Sequence, residues 1–161
     1  MNTQPTAAKS GAIKTGDAAP DFTLIDQRGQ SIHLADLIGT QNIVLYFYPK
    51  DNTPACTAEA CAFRDSFEVF RKANAQVIGV SDDSAESHAQ FAQKNRLPFT
   101  LLSDAKGIIR KLYGVPKALG IMAGRTTYII DKQGIVRHTF NDLMDGPKHV
   151  TEALRILQTL D

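Results

Sequence analysis

Cysteine is nearly absent from this chain: its 161 residues contain two, Cys56 and Cys61, five positions apart. A secreted disulfide framework draws on more cysteines over longer loops, and a structural zinc site needs four ligands. The four histidines, His33, His88, His138 and His149, are scattered, and none sits at ligand spacing from the cysteines. A reactive thiol pair and two inert buried thiols are the readings left. Long apolar runs are also missing, since Ile43 to Tyr48 is far short of the ~20 residues a membrane helix requires. So is charge of one sign: 18 basic and 17 acidic residues interleave to a net +1. Neither nucleic acid nor a membrane surface is therefore expected as a partner. Repeats and low-complexity segments are absent. Residues 1–16 lack the apolar core of a secretory signal and read as a flexible tail of a cytoplasmic protein. Residues 17–161 are the right length for one domain.

What is present is a clear alternation of elements. Phe22 to Ile25 and Ser31 to Leu34 flank Asp26-Gln27-Arg28-Gly29, a hairpin signature. Ala35 to Ile38 fits one helical turn before Gly39. Asn42 to Tyr48 is β-branched and aromatic without polar alternation, as a strand covered on both faces should be. A helix is expected from Pro54 to about Ala73, with Phe63, Phe67 and Phe70 as its inward stripe. Gln76 to Ser81 is a second buried strand, and Ser84 to Asn95 a helix opening on a good N-cap. Pro98 to Leu102 is extended and Ala105 to Leu112 a short helix. Arg125 to Ile130 and Ile135 to Phe140 form a hairpin around Asp131-Lys132-Gln133-Gly134. Pro147 starts a last helix that buries Val150, Leu154, Ile156 and Leu157. A strand, a long helix and a second buried strand imply a parallel pair. The closing hairpin makes the sheet mixed, with helices on both faces. This α/β order resembles the thioredoxin-like fold with an N-terminal β-hairpin added.

The segment Pro49-Lys50-Asp51-Asn52-Thr53-Pro54-Ala55-Cys56 carries the chemistry. Thr53 and Pro54 suit the N-cap and first position of a helix, because proline lacks the N–H that would be orphaned there. Cys56 then falls near the third position, among unpaired N–H groups at the positive end of the helix dipole. Both favour thiolate over thiol. Cys61 cannot reach Cys56 along an intact helix. Five residues give ~7.5 Å of rise and ~140° of rotation, so the Cα atoms lie roughly 8–9 Å apart, where a disulfide wants about 4.4–6.8 Å. Any bond between them requires the first turns to unwind; otherwise Cys61 is a packed thiol. The spacing is not Cys-x-x-Cys, and no proline lies in Gly120 to Thr127, where thioredoxins carry one facing their cysteines. A dithiol oxidoreductase is thereby disfavoured.

In these positions the sequence resembles the peroxiredoxins of the Q type, also called bacterioferritin comigratory proteins. Pro49, Thr53 and Cys56 match the Pro-x-x-x-Thr/Ser-x-x-Cys signature, and Cys61 matches the second cysteine of the Q-type subset. Arg125, opening Arg-Thr-Thr-Tyr-Ile-Ile-Asp, matches the arginine of the family's site. Phe-Tyr-Pro-Lys-Asp and Leu-Pro-Phe-Thr-Leu-Leu-Ser-Asp are also family-like, and the resemblance covers nearly everything after Lys14. Ala55 departs from it, standing where many Q-type sequences have glycine.

The resemblance implies a thiol-dependent peroxidase acting on hydrogen peroxide and organic hydroperoxides. Cys56 would be the nucleophile, Arg125 would support sulfur and peroxide oxygen, Thr53 would bind the peroxide, and Pro49 would shield the thiolate. Cys61 would resolve the Cys56 sulfenic acid as an intrachain disulfide, recycled by a thioredoxin-like partner. No metal, flavin or haem is implied. Because the disulfide closes within one chain, a monomer is expected. Glu59 is matched in many peroxiredoxins and either pairs with an arginine or lies on a solvated face. A peroxide sensor that passes its disulfide to another protein is the non-enzymatic alternative.

Overall fold

The computed structural model describes residues 12–117 and 123–160. Their order is β1 (Thr23–Asp26), β2 (Ser31–His33), α1 (Leu34–Leu37), β3 (Asn42–Phe47), α2 (Pro54–Asp65), α3 (Phe67–Lys72), β4 (Ala75–Ser81), α4 (Ala85–Asn95), β5 (Thr100–Ser103), α5 (Ile108–Tyr113), β6 (Thr126–Ile130), β7 (Val136–Asn141) and α6 (Gly146–Leu157). The strands form one seven-stranded sheet in the order β2-β1-β5-β4-β3-β6-β7. β3, β4 and β5 pair in parallel, while β6 joins β3 and β1 joins β5 antiparallel. The mixed sheet and the added hairpin are those expected.

β3 is buried at every position because both its faces are covered. Val44 and Tyr46 face the side that receives Phe63, Phe70, Phe91, Val150 and Leu157 from α2, α3, α4 and α6. Ile43, Leu45 and Phe47 face Leu34, Ile109 and Tyr113 from α1 and α5. Each large side chain so buried contributes about 1.5–3 kcal/mol.

Four expectations change. The helix after β3 is interrupted at Ser66, whose N–H is shared between the Ala62 and Phe63 carbonyls at 3.2 Å each. That tightens the turn, as serine's competition with the helix backbone allows. Phe63 and Phe70 are fully buried, whereas Phe67 is only half-buried beside the break. α5 begins three residues later than expected, because Gly107 takes a left-handed φ of 66° and Asp104 accepts from the Ile109 and Arg110 N–H groups. The buried stripe of α6 is His149, Val150, Ala153 and Leu157, with Leu154 and Ile156 only partly covered. Part of the expected tail is docked: Ile13 is buried, and its N–H donates to the Tyr113 carbonyl at 3.0 Å. The rest, 1–11, lies outside the described residues.

The register also prepares a site. Phe47 opposes Thr126, so the chain leaving β3 and the residue entering β6 meet at one edge of the sheet. That edge lies at the C-terminal ends of the parallel strands, where α/β proteins place their ligands. Over it sits the N-terminus of α2. α6 approaches α2 closely at Gly146, where an added Cβ would come within 2.6 Å of the Glu59 Cβ.

Candidate active site

Between β3 and α2 the chain turns through Pro49, Asp51 and Asn52. Asn52 adopts a left-handed φ of 64°, a conformation asparagine tolerates better than most residues. Thr53 occupies the N-cap with extended backbone, and its carbonyl accepts the first helical bond from Thr57 N–H at 2.8 Å. Its hydroxyl does not cap the helix. It donates instead to the Lys50 carbonyl at 2.9 Å, which closes the turn and leaves the oxygen lone pairs to accept. Cys56 is the third residue of α2 and is 1% exposed.

Arg125 meets it from β6. Its Nη2 donates to Cys56 Sγ at 3.3 Å, its Nη1 to Glu59 Oε1 at 2.5 Å and its Nε to the Leu143 carbonyl at 2.9 Å. The guanidinium is 2% exposed and held on three sides, a fixed orientation that a single ammonium could not copy. The structure thus brings Cys56, Arg125 and Thr53 to one end of α2. Pro49 sits half-buried at the exit of β3. Cys61 is further along α2, half-buried, its thiol directed toward Asn95 Oδ1 at 3.8 Å. Both cysteines are free thiols in one continuous helix.

Three neighbours surround these groups; the sequence offers two readings for Glu59 and none for His149 or Arg110. Glu59 is fully buried, so of its two readings the arginine pair is the one found. Burial pushes its carboxyl up to about 8, against the lowering influence of Arg125. His149, also fully buried, faces Glu59 Oε2 with Nδ1 at 3.6 Å. Burial holds its imidazole below the usual histidine range. The available signal was a polar residue within the apolar face of α6, four positions before Ala153. Arg110 is the third. It donates to the Gly124 carbonyl at 2.8 Å and the Tyr48 carbonyl at 2.7 Å, fastening together the residues just before Arg125 and Pro49.

Asp51, Asp83 and His88 are the one cluster of potential metal ligands among the described residues. Their atoms are already engaged with each other and with Ser81, Ser87 and Tyr48. The cluster is a hydrogen-bonded clamp on the loop before α2.

A cysteine at a helix N-terminus under a buried arginine suits thiol-based redox chemistry, and comparison with known proteins gives the family. The AhpC/TSA family matches residues 15–139. Chloroplastic peroxiredoxin Q from Oryza sativa subsp. japonica is 51% identical over 151 residues, 93% of this chain and 69% of that protein. The Arabidopsis thaliana peroxiredoxin Q is 50% identical over 147 residues, 91% of this chain and 68% of that one. Among solved structures, the peroxidoxin BcpB of Mycobacterium tuberculosis superposes with a TM-score of 0.85 at 37% identity, covering 92% of this chain and 99% of its own. The bacterioferritin comigratory protein of Xanthomonas campestris, solved in complexes bearing on its alkyl peroxide reduction, superposes at 0.80 with 29% identity, covering 93% and 98%.

This chain belongs to the AhpC/TSA family, in its peroxiredoxin Q branch. It is a thiol peroxidase with two cysteines, of the class recycled by a thioredoxin-type reductant, and its architecture is thioredoxin-like.

Proposed function

We propose that Cys56 is the peroxidatic nucleophile and Cys61 the resolving thiol. The observation that carries this is the Arg125 Nη2 donating to Cys56 Sγ at 3.3 Å, at the N-terminal turn of α2. The helix terminus and the guanidinium both stabilise thiolate. The thiolate attacks one oxygen of hydrogen peroxide or an organic hydroperoxide. The O–O bond breaks, and the leaving oxygen takes a proton to become water or an alcohol. Arg125 supports the charge developing on that oxygen. Thr53, with its hydroxyl hydrogen committed to Lys50, accepts from the peroxide O–H and so orients it. Pro49 has no N–H to compete for the sulfur and limits water at the mouth.

Cys56 sulfenic acid then loses water to the Cys61 thiol as the disulfide forms, and a thioredoxin-like dithiol reduces it by exchange. Because both sulfurs lie on one regular helix, the first turns of α2 unwind for this step. Each helical bond given up is worth about 0.5–1.5 kcal/mol net, so the opening is thermally accessible. The reaction needs one chain only, which favours a working monomer. A thioredoxin-reduced pair suits a reducing compartment such as the cytoplasm, although the plant relatives are chloroplastic.

Mass spectrometry after one equivalent of peroxide tests the roles. Wild type should lose two hydrogens on disulfide formation, Cys61→Ser should stop at a trappable sulfenic acid on Cys56, and Cys56→Ser should not consume peroxide. Sustained turnover by Cys56→Ser would overturn the assignment.

A further inference from the structure

Behind Arg125 lies a group that the reaction above does not use. Glu59 Oε2 is buried and has no hydrogen-bond partner. The His149 Nδ1, at 3.6 Å, is just too far to be one. His149 Nε2 faces the Asp142 carbonyl at 2.8 Å and therefore donates to it. Its Nδ1 is 2.7 Å from the Thr127 hydroxyl, which can donate or accept. A single cation, Arg125, stands between two groups able to carry negative charge, Cys56 and Glu59. With both ionised and His149 neutral, this buried cluster would hold one uncompensated negative charge, a costly arrangement.

We propose that Glu59 and His149 share one proton, so that the pair is neutral and the charge of Arg125 is left to the Cys56 thiolate. The proton sits on Glu59 Oε2 with His149 Nδ1 accepting, or on Nδ1 with Oε2 accepting. In either form Oε2 gains the partner it lacks once the gap closes by about half an ångström. Because Nδ1 has a single in-plane site, the Thr127 hydroxyl now 2.7 Å from it yields that site to Oε2 in the first form and shares the Nδ1 proton with Oε2 in the second. The direction of both shifts, Glu59 raised by burial and His149 lowered by burial, agrees with a carboxyl that keeps its proton near neutral pH. Glu59 and His149 are thus positioning residues, acting on the sulfur through Arg125. When the shared proton is lost in alkali, Glu59 becomes a second anion on the same guanidinium and the thiolate loses support. Other titratable groups facing the pair are Tyr46 from β3, raised by burial and next by Glu59, and Asp142 and Asp145 from the turn before α6.

The inference rests on Cys56 being the nucleophile, and two measurements keep the questions apart. In the reduced wild-type protein, NMR of the His149 ring nitrogens and the Glu59 carboxyl carbon across pH 5–10 should show one shared midpoint near or above neutrality. Two separate midpoints would overturn the shared proton and leave Cys56 untouched. The rate of the peroxide step is then followed against pH in wild type and Glu59→Gln. Glutamine cannot ionise, so the alkaline fall should be lost, and the ratio of the rates at pH 9.5 and pH 7 should rise at least about threefold over wild type. Superimposable profiles would also overturn the proposal. Peroxide consumption by Cys56→Ser would sink the assignment of the nucleophile alone, since the NMR midpoint does not depend on it.

Discussion

Two buried polar networks flank the N-terminus of α2, and they differ in one respect. On the loop side, Asp51 Oδ1 accepts from Tyr48 at 2.6 Å, while Oδ2 accepts from Ser87 at 2.9 Å and faces His88 Nδ1 at 2.7 Å. His88 reaches on to the Leu102 carbonyl at 2.9 Å. Every buried side-chain nitrogen and oxygen of this clamp has a partner. On the helix side, Glu59 holds Arg125 with one oxygen and leaves the other empty. A satisfied network ties the loop to α4 and β5 and has no reason to change. An unsatisfied one has a second arrangement available, and it is the one that touches the Cys56 sulfur.

The comparison predicts that the two networks fail in different ways. Asp51→Ala should give the largest effect on stability, because His88, Tyr48 and Ser87 lose a buried acceptor together. Removing one partner of a buried pair costs about 3–5 kcal/mol, or a melting temperature lower by roughly 10 °C for a chain of this size. A thermal melt that moved by only a degree or two would show that the clamp does not hold the loop.

Arg125→Lys should come next, and in rate more than in stability. Lysine keeps the charge but cannot serve Cys56, Glu59 and the Leu143 carbonyl at once. Losing an oriented donor of this kind slows a reaction by about 10²–10³-fold. Rapid mixing would measure the peroxide step directly. A normal rate of sulfenate formation in Arg125→Lys would remove the guanidinium from the mechanism and, with it, the reason for distinguishing the two networks.

The loop side was more legible in the sequence than the helix side. Strand β3 is an unbroken apolar run, and Pro49, Thr53-Pro54 and Cys56 follow it within eight residues, so the helix start and the position of the sulfur came from local rules. Arg125 needed the family resemblance, because one arginine at a strand start looks like any other until the register puts it beside β3. His149 was out of reach. It lies 93 positions from Cys56, and only the packing of α6 on α2 at Gly146 brings it behind Glu59. Thr53 holds the N-cap position expected of it, but the partner of its hydroxyl was not legible: a cap and a turn compete for the same group, and propensity does not choose between them. The interruption at Ser66 is similar, a small change of ψ within an otherwise helical pattern.

The smallest effect should come from a third carboxylate, and it separates burial from the size of a pKa shift. Glu152 accepts from Arg155 at 2.8 Å and faces His138 at 3.1 Å. Its carboxyl is drawn down to about 2, chiefly by the Arg155 hydrogen bonds. That shift is comparable in size to the one at Glu59, though opposite in sign, yet the Arg155 side chain is 58% exposed. A lowered folded-state pKa stabilises the protein above the unfolded value of 4.5, and the contribution is lost as pH falls toward 2. Glu152→Gln should therefore be slightly less stable than wild type at pH 7, and the gap should close on acidification. Solvent and salt screen such a pair, so the melting temperature should drop by less than about 3 °C. In 1 M salt, where the Debye length is about 3 Å, even that difference should shrink. Melts of wild type, Asp51→Ala and Glu152→Gln in the same buffers decide the point. If Glu152→Gln cost as much as Asp51→Ala, the number of charged contacts, and not their burial, would set what each network is worth.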